Sequence, residues 1–465
     1  MRLSEAPSLR VTNPVRAKRA ILASASVDTL IVLFTRDLRL HDHPALTAAA
    51  RDAPRVVPAF VLDDMLLSGR CGTPSRVAFL LESLRDLDSS LRKRGARLVV
   101  RRGDVVTEVL RLARESGAEG IYLSDDVSGY ARERRQRLVR ECARERLALR
   151  TFGGVTVIPA GELVPAGGDH YRVFTPYWRI WRTAKRRVPL RAPRRLRIPP
   201  GIRDRPLPDL ERLTNTPPVT GLPSGGETAA RARLARWLRS RPERYEQQAE
   251  QLAADVTSRL SPYLHFGSLS ANEGLARVDD RWGGDAFARQ LCWRDFHHQV
   301  LAARPDLPYT DYRPRRRQWR KDERSLEAWR QGRTGYPIVD AGMRQLAREG
   351  FLPNRARLIV ASFLTKTLGI DWRKGAAHFE QLLVDADLAN NIGNWQWVAG
   401  TGNDTRPNRI LNPIRQAHRF DPEGAYVRRQ VPELAAVEGR AIHEPWKLDP
   451  GVRRQLDYPD PLIKP

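Results

Sequence analysis

The sequence predicts an α/β domain on a doubly wound parallel sheet, a long linker, and then a larger all-α domain. Three observations predict it. Residues 28–155 alternate short β-branched apolar runs with helical stretches. Nine prolines and many arginines fall between Lys185 and Gly226 without apolar periodicity. Beyond Gly226 the apolar spacing is helical almost to the end. The boundaries that follow are a disordered basic arm at 1–27, the α/β domain at 28–155, the linker at 156–225 and the helical domain at 226–465.

Within the first domain, Leu30–Phe34, Val56–Leu62, Leu98–Val100 and Ile121–Leu123 have the length and unbroken apolar character of strands buried on both faces. Between and after them, Pro44–Arg51, Ser75–Arg94, Val105–Ser116 and Tyr130–Leu147 carry one apolar face and one charged face, as surface helices do. The first strand runs into Thr35-Arg36-Asp37-Leu38-Arg39-Leu40, so the G-x-G-x-x-G dinucleotide fingerprint is missing there. Residues 1–27 are basic, with Glu5 their one acid, and lack the apolar core of a secretory signal. All eleven tryptophans lie at or beyond position 178.

Of 465 residues, 80 are Lys or Arg and 54 Asp or Glu, a net charge of +26. Such a surface attracts polyanions, nucleic acid first. Phosphate neutralisation gives affinity without specificity, however. Only eight of the basic residues are lysine, and a GC-rich genome writes arginine freely, so charge names a partner class and no reaction. A 41% hydrophobic and 29% charged composition excludes a disordered chain. No run of roughly 18 apolar residues exists to span a membrane. Cys71, Cys142 and Cys292, far apart, exclude a disulfide scaffold and argue against a Cys-rich zinc or iron–sulfur centre. The expectation is a soluble, intracellular protein.

Three stretches of the helical domain carry chemistry. Tyr245, followed by Thr257-Ser258-Arg259-Leu260-Ser261, sets a tyrosine and a hydroxyl run around one arginine. Thr257 and Ser258 suit a helix N-terminus able to hold a phosphate, although an ordinary N-cap is the default for such residues. Along a helix from Phe287, the residues Gln290, Trp293, Arg294 and His297 share one face. A flat ring flanked by donors suits a stacked, hydrogen-bonded base; a solvated face with one packed tryptophan is the plainer alternative. Asp385-Ala-Asp387-Leu-Ala-Asn390-Asn391-Ile-Gly-Asn394-Trp395-Gln-Trp397 joins acids, amides and tryptophans, and Asn354, Arg355 and Arg357 lie upstream to pair with the acids. Hard metals want more carboxylates and zinc wants His or Cys, so no metal is expected. A structural salt-bridge network remains the alternative to a ring-binding site.

These residues resemble the photolyase/cryptochrome flavoproteins, and most of all the bacterial DNA photolyases that repair cyclobutane pyrimidine dimers. The resemblance runs from about residue 28 to about residue 435 and rests on TRDLRLHDHPAL at 35–46, YEQQ…TSRLS at 245–261, WRDF at 293–296, WRQGRTGYPIVDAGMRQL at 329–346, NRARLIVASFL at 354–364 and DADLANNIGNWQW at 385–397. It implies a helical FAD-binding domain and a light-driven carbon–carbon lyase reaction on DNA. In that reaction the photoexcited reduced flavin donates an electron to a flipped-out dimer, and the ring splits.

By the same resemblance, Tyr245 and Thr257 through Ser261 hold the FAD phosphates and ribose, and Phe287 replaces a family tryptophan on the flavin side. Asp385 and Asp387 contact the ring system and ribose, Arg357 pairs with Asp385, and Asn391 faces flavin N5. Trp395, Trp372 and Trp319 match the family's electron-transfer chain. Trp293 and Trp397 form stacking walls for the lesion, with Gln290, Arg294, Asn354, Arg355 and Gln416 contacting the dinucleotide or its phosphates. The partner implied is damaged DNA, met by a monomer in the bacterial cytoplasm, associated with the nucleoid through DNA and with no membrane.

Gln290 stands where many dimer-specific enzymes carry Glu. (6-4) photolyases share the amide, but the animal type needs a histidine pair where this chain has Asn354 and Leu358. Asn391 points to repair over signalling, since plant and animal cryptochromes usually carry Asp or Cys there. A signalling cryptochrome and a non-catalytic DNA-binding flavoprotein remain the alternatives. For a second, antenna chromophore, Asp125-Asp126-Val127-Ser128-Gly129-Tyr130 resembles members that bind 8-hydroxy-5-deazaflavin. Tyr130-Ala131 replaces the Asn-Glu pair of members that bind methenyltetrahydrofolate.

Overall fold

The computed structural model describes residues 27–203, 206–240, 250–278, 284–315 and 318–464. Tyr245 and residues 1–26 of the basic arm lie outside them.

Five strands form one parallel sheet in the order β3-β2-β1-β4-β5: β1 (Thr29–Leu33), β2 (Arg55–Leu62), β3 (Val99–Arg102), β4 (Gly120–Ser124) and β5 (Ala148–Phe152). Every residue of β1 is buried. Alternate side chains serve opposite layers: Leu30 and Val32 pack with Leu46, Leu84 and Leu91 on one face, while Ile31 and Leu33 pack with Val109 and Leu112 on the other. The crossover helices are α1 (Pro44–Asp52), α3 (Pro74–Arg92), α4 (Val105–Ser116) and α5 (Gly129–Arg144), with a short α2 (Asp64–Ser68) after β2. The expected helix 105–116 matches α4 because both ends are written in the chain. Asp104 caps it by accepting Thr107 N–H at 2.9 Å, and Gly117 closes it in the left-handed conformation.

Edge strand β5 and helix α2 are not expected from the sequence. The residues of β5, ALRTF, are half-exposed or exposed, so no apolar run marks it. The linker also differs from expectation. Residues 174–183 form helix α6 (Phe174–Thr183), whose Phe174, Tyr177 and Trp181 are buried in the helical core. Farther on, Leu196 and Ile202 return to pack against the two faces of the sheet domain.

The helical domain comprises α7 (Glu227–Arg239), α8 (Ser261–Phe266), α9 (Ala271–Ala276), α10 (Gly284–Ala303), α11 (Glu323–Arg330), α12 (Pro337–Glu349), α13 (Asn354–Ser362), α14 (Trp372–Leu382), α15 (Leu388–Ala399) and α16 (Pro413–Phe420), with smaller elements after them. Trp329, Trp372 and Trp395 lie in its core.

The segment after β1 locks the two domains together. Arg39, 1% exposed, donates to the carbonyls of Asp42 and Gly154 and, across the interface, of Gly267 at 2.9 Å. Glu227 at the start of α7 accepts Leu40 and His41 N–H at 2.8 and 3.0 Å. Asp42 takes bonds from Ser270, Arg187 and Leu190 N–H. Burial works against the charge of Asp37, but facing His43 at 3.0 Å overcomes it and holds the carboxyl at about 2. Gly267 sits so close that a Cβ there would lie 2.0 Å from the Arg36 carbonyl oxygen.

Candidate active site

Helix α15 organises the site. Asp387 caps it, accepting Asn390 N–H at 3.0 Å. The other Asp387 oxygen receives His298 at 3.1 Å and Arg36 from the sheet domain, with Arg294 at 3.9 Å. Burial opposes this charge, yet the surrounding cations hold Asp387 well below the carboxylate range. Both oxygens are spent fixing α15 against the sheet domain, where Arg36 also holds Asp126 at 3.2 Å.

Among the described residues, the Asp385 side chain bonds to Arg357 alone. Arg357 donates to both its oxygens at 3.0 and 2.8 Å and is itself steadied by the Leu352 carbonyl at 2.7 Å. One turn into α15, Asn391 donates to the Ala376 carbonyl of α14 at 3.0 Å. The two helices meet closely because α14 carries Gly375, where a Cβ would fall 2.2 Å from the Trp395 indole. Trp395 packs edge-on to Phe379 at 5.0 Å and to Trp329 at 6.1 Å. Trp372 opens α14, fully buried. Trp319 is half-buried, and its neighbour Arg320 is pinned to the turn before α14 through Gly369 O at 2.8 Å.

The hydroxyl run departs from expectation. Helix α8 begins at Ser261 with Leu260 in the capping position, so Thr257 and Ser258 precede the helix in an irregular segment. Three helix-stopping features explain this: Pro262 favours the first turn, Leu260 is anchored in the core, and Arg259 adopts a positive φ of 49°. Arg259 binds Asp255 at 2.7 Å and Glu349 at 3.1 Å and lies over the Phe351 ring. The Ser258 carbonyl accepts Arg233 at 2.8 Å. Thr257 Oγ1 is buried and meets no hydrogen-bond partner among the described residues. An orphaned hydroxyl beside Ser258, Ser261 and two arginines is a donor set that fits the phosphate-bearing part of FAD.

On α10, Phe287 packs against Trp237 at 5.0 Å and Gln290 is exposed. Phe174 of α6 covers one face of half-buried Trp293, stacked at 3.6 Å and 3°. Arg294, only 7% exposed, donates to the carbonyls of Val155 at 2.6 Å and Leu264 at 3.2 Å, so its guanidinium ties elements together inside the protein. Asn354 is exposed at the start of α13. Arg355 beside it reaches Gln416 at 3.4 Å, pairs with Glu250 and covers Phe420, bringing three expected residues to one place. Trp397 is half-buried against the helical core.

A cavity of about 270 Å³ opens at the carboxyl ends of β2 and β3, where open parallel sheets bind ligands. Asp63, Asp104, Tyr130, Arg134 and Arg137 line it. Tyr130 donates to Asp63, and Arg137 is bidentate on Asp104 at 2.8 Å. Among the described residues no cluster of His, Cys, Asp and Glu is arranged to hold a metal, and no helix is long and apolar enough to cross a membrane.

A model described as DNA photolyase matches residues 30–194, and one described as the FAD binding domain of DNA photolyase matches residues 287–465. The chain is 54% identical over 437 residues to a deoxyribodipyrimidine photo-lyase of Streptomyces griseus, covering 93% of this chain and 96% of that one. It is 37% identical to a cryptochrome DASH of Gloeobacter violaceus, over 94% and 93% of the two chains. A bacterial class III photolyase structure from Agrobacterium tumefaciens superposes with a TM-score of 0.87 at 34% identity, covering 96% of each chain. The chain belongs to the DNA photolyase family, and its helical domain is the family's FAD-binding domain.

Proposed function

We propose that the chain is a light-driven DNA-repair enzyme, a lyase that returns cyclobutane pyrimidine dimers to separate pyrimidines. The observation that carries this is the 54% identity to a deoxyribodipyrimidine photo-lyase across 93% of the chain, against 37% for a cryptochrome DASH.

When bound, reduced FAD supplies on illumination the electron that opens the dimer. The chain's own residues hold, orient and exclude. Thr257, Ser258 and Ser261, with Tyr245, hold the cofactor's phosphates and ribose. The Arg357–Asp385 pair fixes a charged edge beside its ring, and Asn391 offers a neutral amide that has no proton to lose at working pH. Trp395, Trp372 and Trp319 form an electron path from the interior to the surface. Trp397 and Trp293 stack the extruded lesion, while Gln290, Asn354, Arg355 and Gln416 contact its edges and phosphates.

The 270 Å³ cavity is the seat of a second chromophore, 8-hydroxy-5-deazaflavin in preference to methenyltetrahydrofolate. The ionic lining suits a polar heterocycle. An archaeal photolyase structure with a TM-score of 0.83 at 31% identity contains two FAD molecules, so FAD is the competing occupant. The protein works as a monomer in the cytoplasm, drawn to the nucleoid by DNA. Illumination of purified, reduced protein with oligonucleotides carrying either a cyclobutane dimer or a (6-4) product tests the reading. Repair of the first alone supports it; repair of the second alone, or of neither, refutes it. An absorption spectrum of the same sample identifies the second chromophore.

A further inference from the structure

The middle tryptophan of the path has an unusual electrostatic setting. Trp372 is fully buried, and its one N–H donates to Asp311 Oδ1 at 3.0 Å. The same oxygen accepts Arg373 at 2.7 Å, and the Arg373 guanidinium lies 4.6 Å from the centre of a Trp372 ring. Arg373 also pairs with Asp371 at 3.1 Å and donates to the Tyr309 carbonyl at 3.0 Å. One carboxylate, Asp311, therefore sits directly on the indole N–H, and the Arg373 guanidinium over its ring is shared between Asp311 and Asp371. The Asp311 side chain is 17% exposed, so solvent screens it only in part. Trp395, by contrast, packs on Phe379, Trp329 and Gly375.

We infer that Asp311 is a positioning residue that acts through Trp372: its carboxylate, fixed on the indole N–H, stabilises the one-electron-oxidised ring and draws positive charge outward from Trp395. The inference rests on reading the three tryptophans as an electron path. Trp395 would give up one electron to the flavin when that cofactor is bound, oxidised and illuminated. Trp372 passes one electron to Trp395, which returns to neutral, and the positive charge now resides on Trp372. The step moves one electron and leaves the Nε1 proton on Trp372, in its hydrogen bond to Asp311. Trp319 next donates one electron to Trp372 and is itself re-reduced by an external thiol. No covalent bond forms or breaks. Removing one negative charge at hydrogen-bond distance from a buried cation shifts the Trp395–Trp372 balance by at least about tenfold, after allowance for Arg373 and partial exposure.

The test uses FAD-loaded full-length protein in a Trp319→Phe background, where charge stops at Trp372, and follows the charge-separated state by transient absorption. Asp311→Asn keeps an oxygen on the N–H and removes the charge, so the state should decay about tenfold faster. Arg373→Gln removes the opposing cation, so it should decay more slowly. Opposite signs support the inference, since simple loss of packing would shorten both. Unchanged decay in Asp311→Asn, or shortening in both variants, overturns it. Trp372→Phe keeps the two failures apart. Normal flavin photoreduction in that variant overturns the electron path and the inference with it, whereas lost photoreduction beside an unaffected Asp311→Asn overturns the inference alone.

Discussion

Substituting Gly267 by alanine measures how tightly the sheet domain is bolted to the helical domain. Gly267 has a φ of +69°, where any alanine costs about 1–2 kcal/mol. Gly117 has nearly the same backbone, φ +64°, but a Cβ there meets nothing within 4 Å, so Gly117→Ala isolates the backbone cost. At Gly267 the Cβ would stand 2.0 Å from Arg36 O and 2.6 Å from Asp37 Cα, both backbone atoms that cannot swing aside. Relieving the clash separates the segments and breaks two buried bonds, Arg39 to Gly267 O at 2.9 Å and Leu38 N–H to Phe266 O at 3.2 Å. Each buried group left unpaired costs about 1–3 kcal/mol. Gly267→Ala should therefore lose about 3 kcal/mol or more beyond Gly117→Ala. Urea denaturation of the flavin-loaded proteins, followed by circular dichroism, reads the difference. Equal losses in the two variants would refute the interface argument.

Other outcomes follow from the site. Burial pushes His297 down to about 4, below the roughly 6.5 of an unfolded chain. The unfolded state then binds the extra proton between those values, so stability falls as pH drops through that window. From pH 7 to pH 5 His297 contributes a loss of about 2 kcal/mol. A His297→Met variant should show a pH slope shallower by that amount in urea titrations. Asp385→Asn leaves Arg357 without its counter-charge and should weaken FAD retention at least about tenfold in equilibrium dialysis, a charge-assisted pair being worth about 1.5–3 kcal/mol. Trp397→Ala should weaken binding of dimer-containing DNA about tenfold, with intact DNA and the salt slope little changed, because stacking adds about 1–3 kcal/mol per base and phosphate contacts are untouched. Dark fluorescence-anisotropy titrations over a range of salt concentrations check both parts.

Local signals in the chain explain what its sequence revealed. Helix α4 is bounded by Asp104 and Gly117, and strands β1, β2 and β4 are apolar along nearly their whole length, so each is legible where it stands. Strand β5 is polar and half-exposed and gives no such signal. The site divides the same way. Asp385 and Arg357 are readable as an acid and a base in neighbouring motifs, and they meet at 2.8 Å. The roles of Asp387 and Arg294 depend on contacts far along the chain. Arg36 reaches Asp387 across 351 residues, and Arg294 finds its carbonyls on Val155 and Leu264. Periodicity places Arg294 on a face with Gln290 and Trp293 but cannot show that α6 and the sheet domain bury that part of the face. Phe174, Arg36, Gly375 and Asp311 likewise have no local signal. Each matters through a neighbour supplied by tertiary packing, and a pattern of small or charged residues alone does not name that neighbour. The basic composition said least about mechanism: Arg39 and Arg294 are buried, so part of the charge that suggested a polyanion is held inside the fold.

The reaction proposed for this chain is the light-driven splitting of a pyrimidine dimer. The most direct measurement follows a single defined cyclobutane dimer in a short duplex by chromatography, with purified FAD-reduced protein, in matched light and dark samples. Stoichiometric conversion to two intact pyrimidines is expected in the light and none in the dark. Firm binding of the damaged duplex with no light-dependent conversion would contradict it.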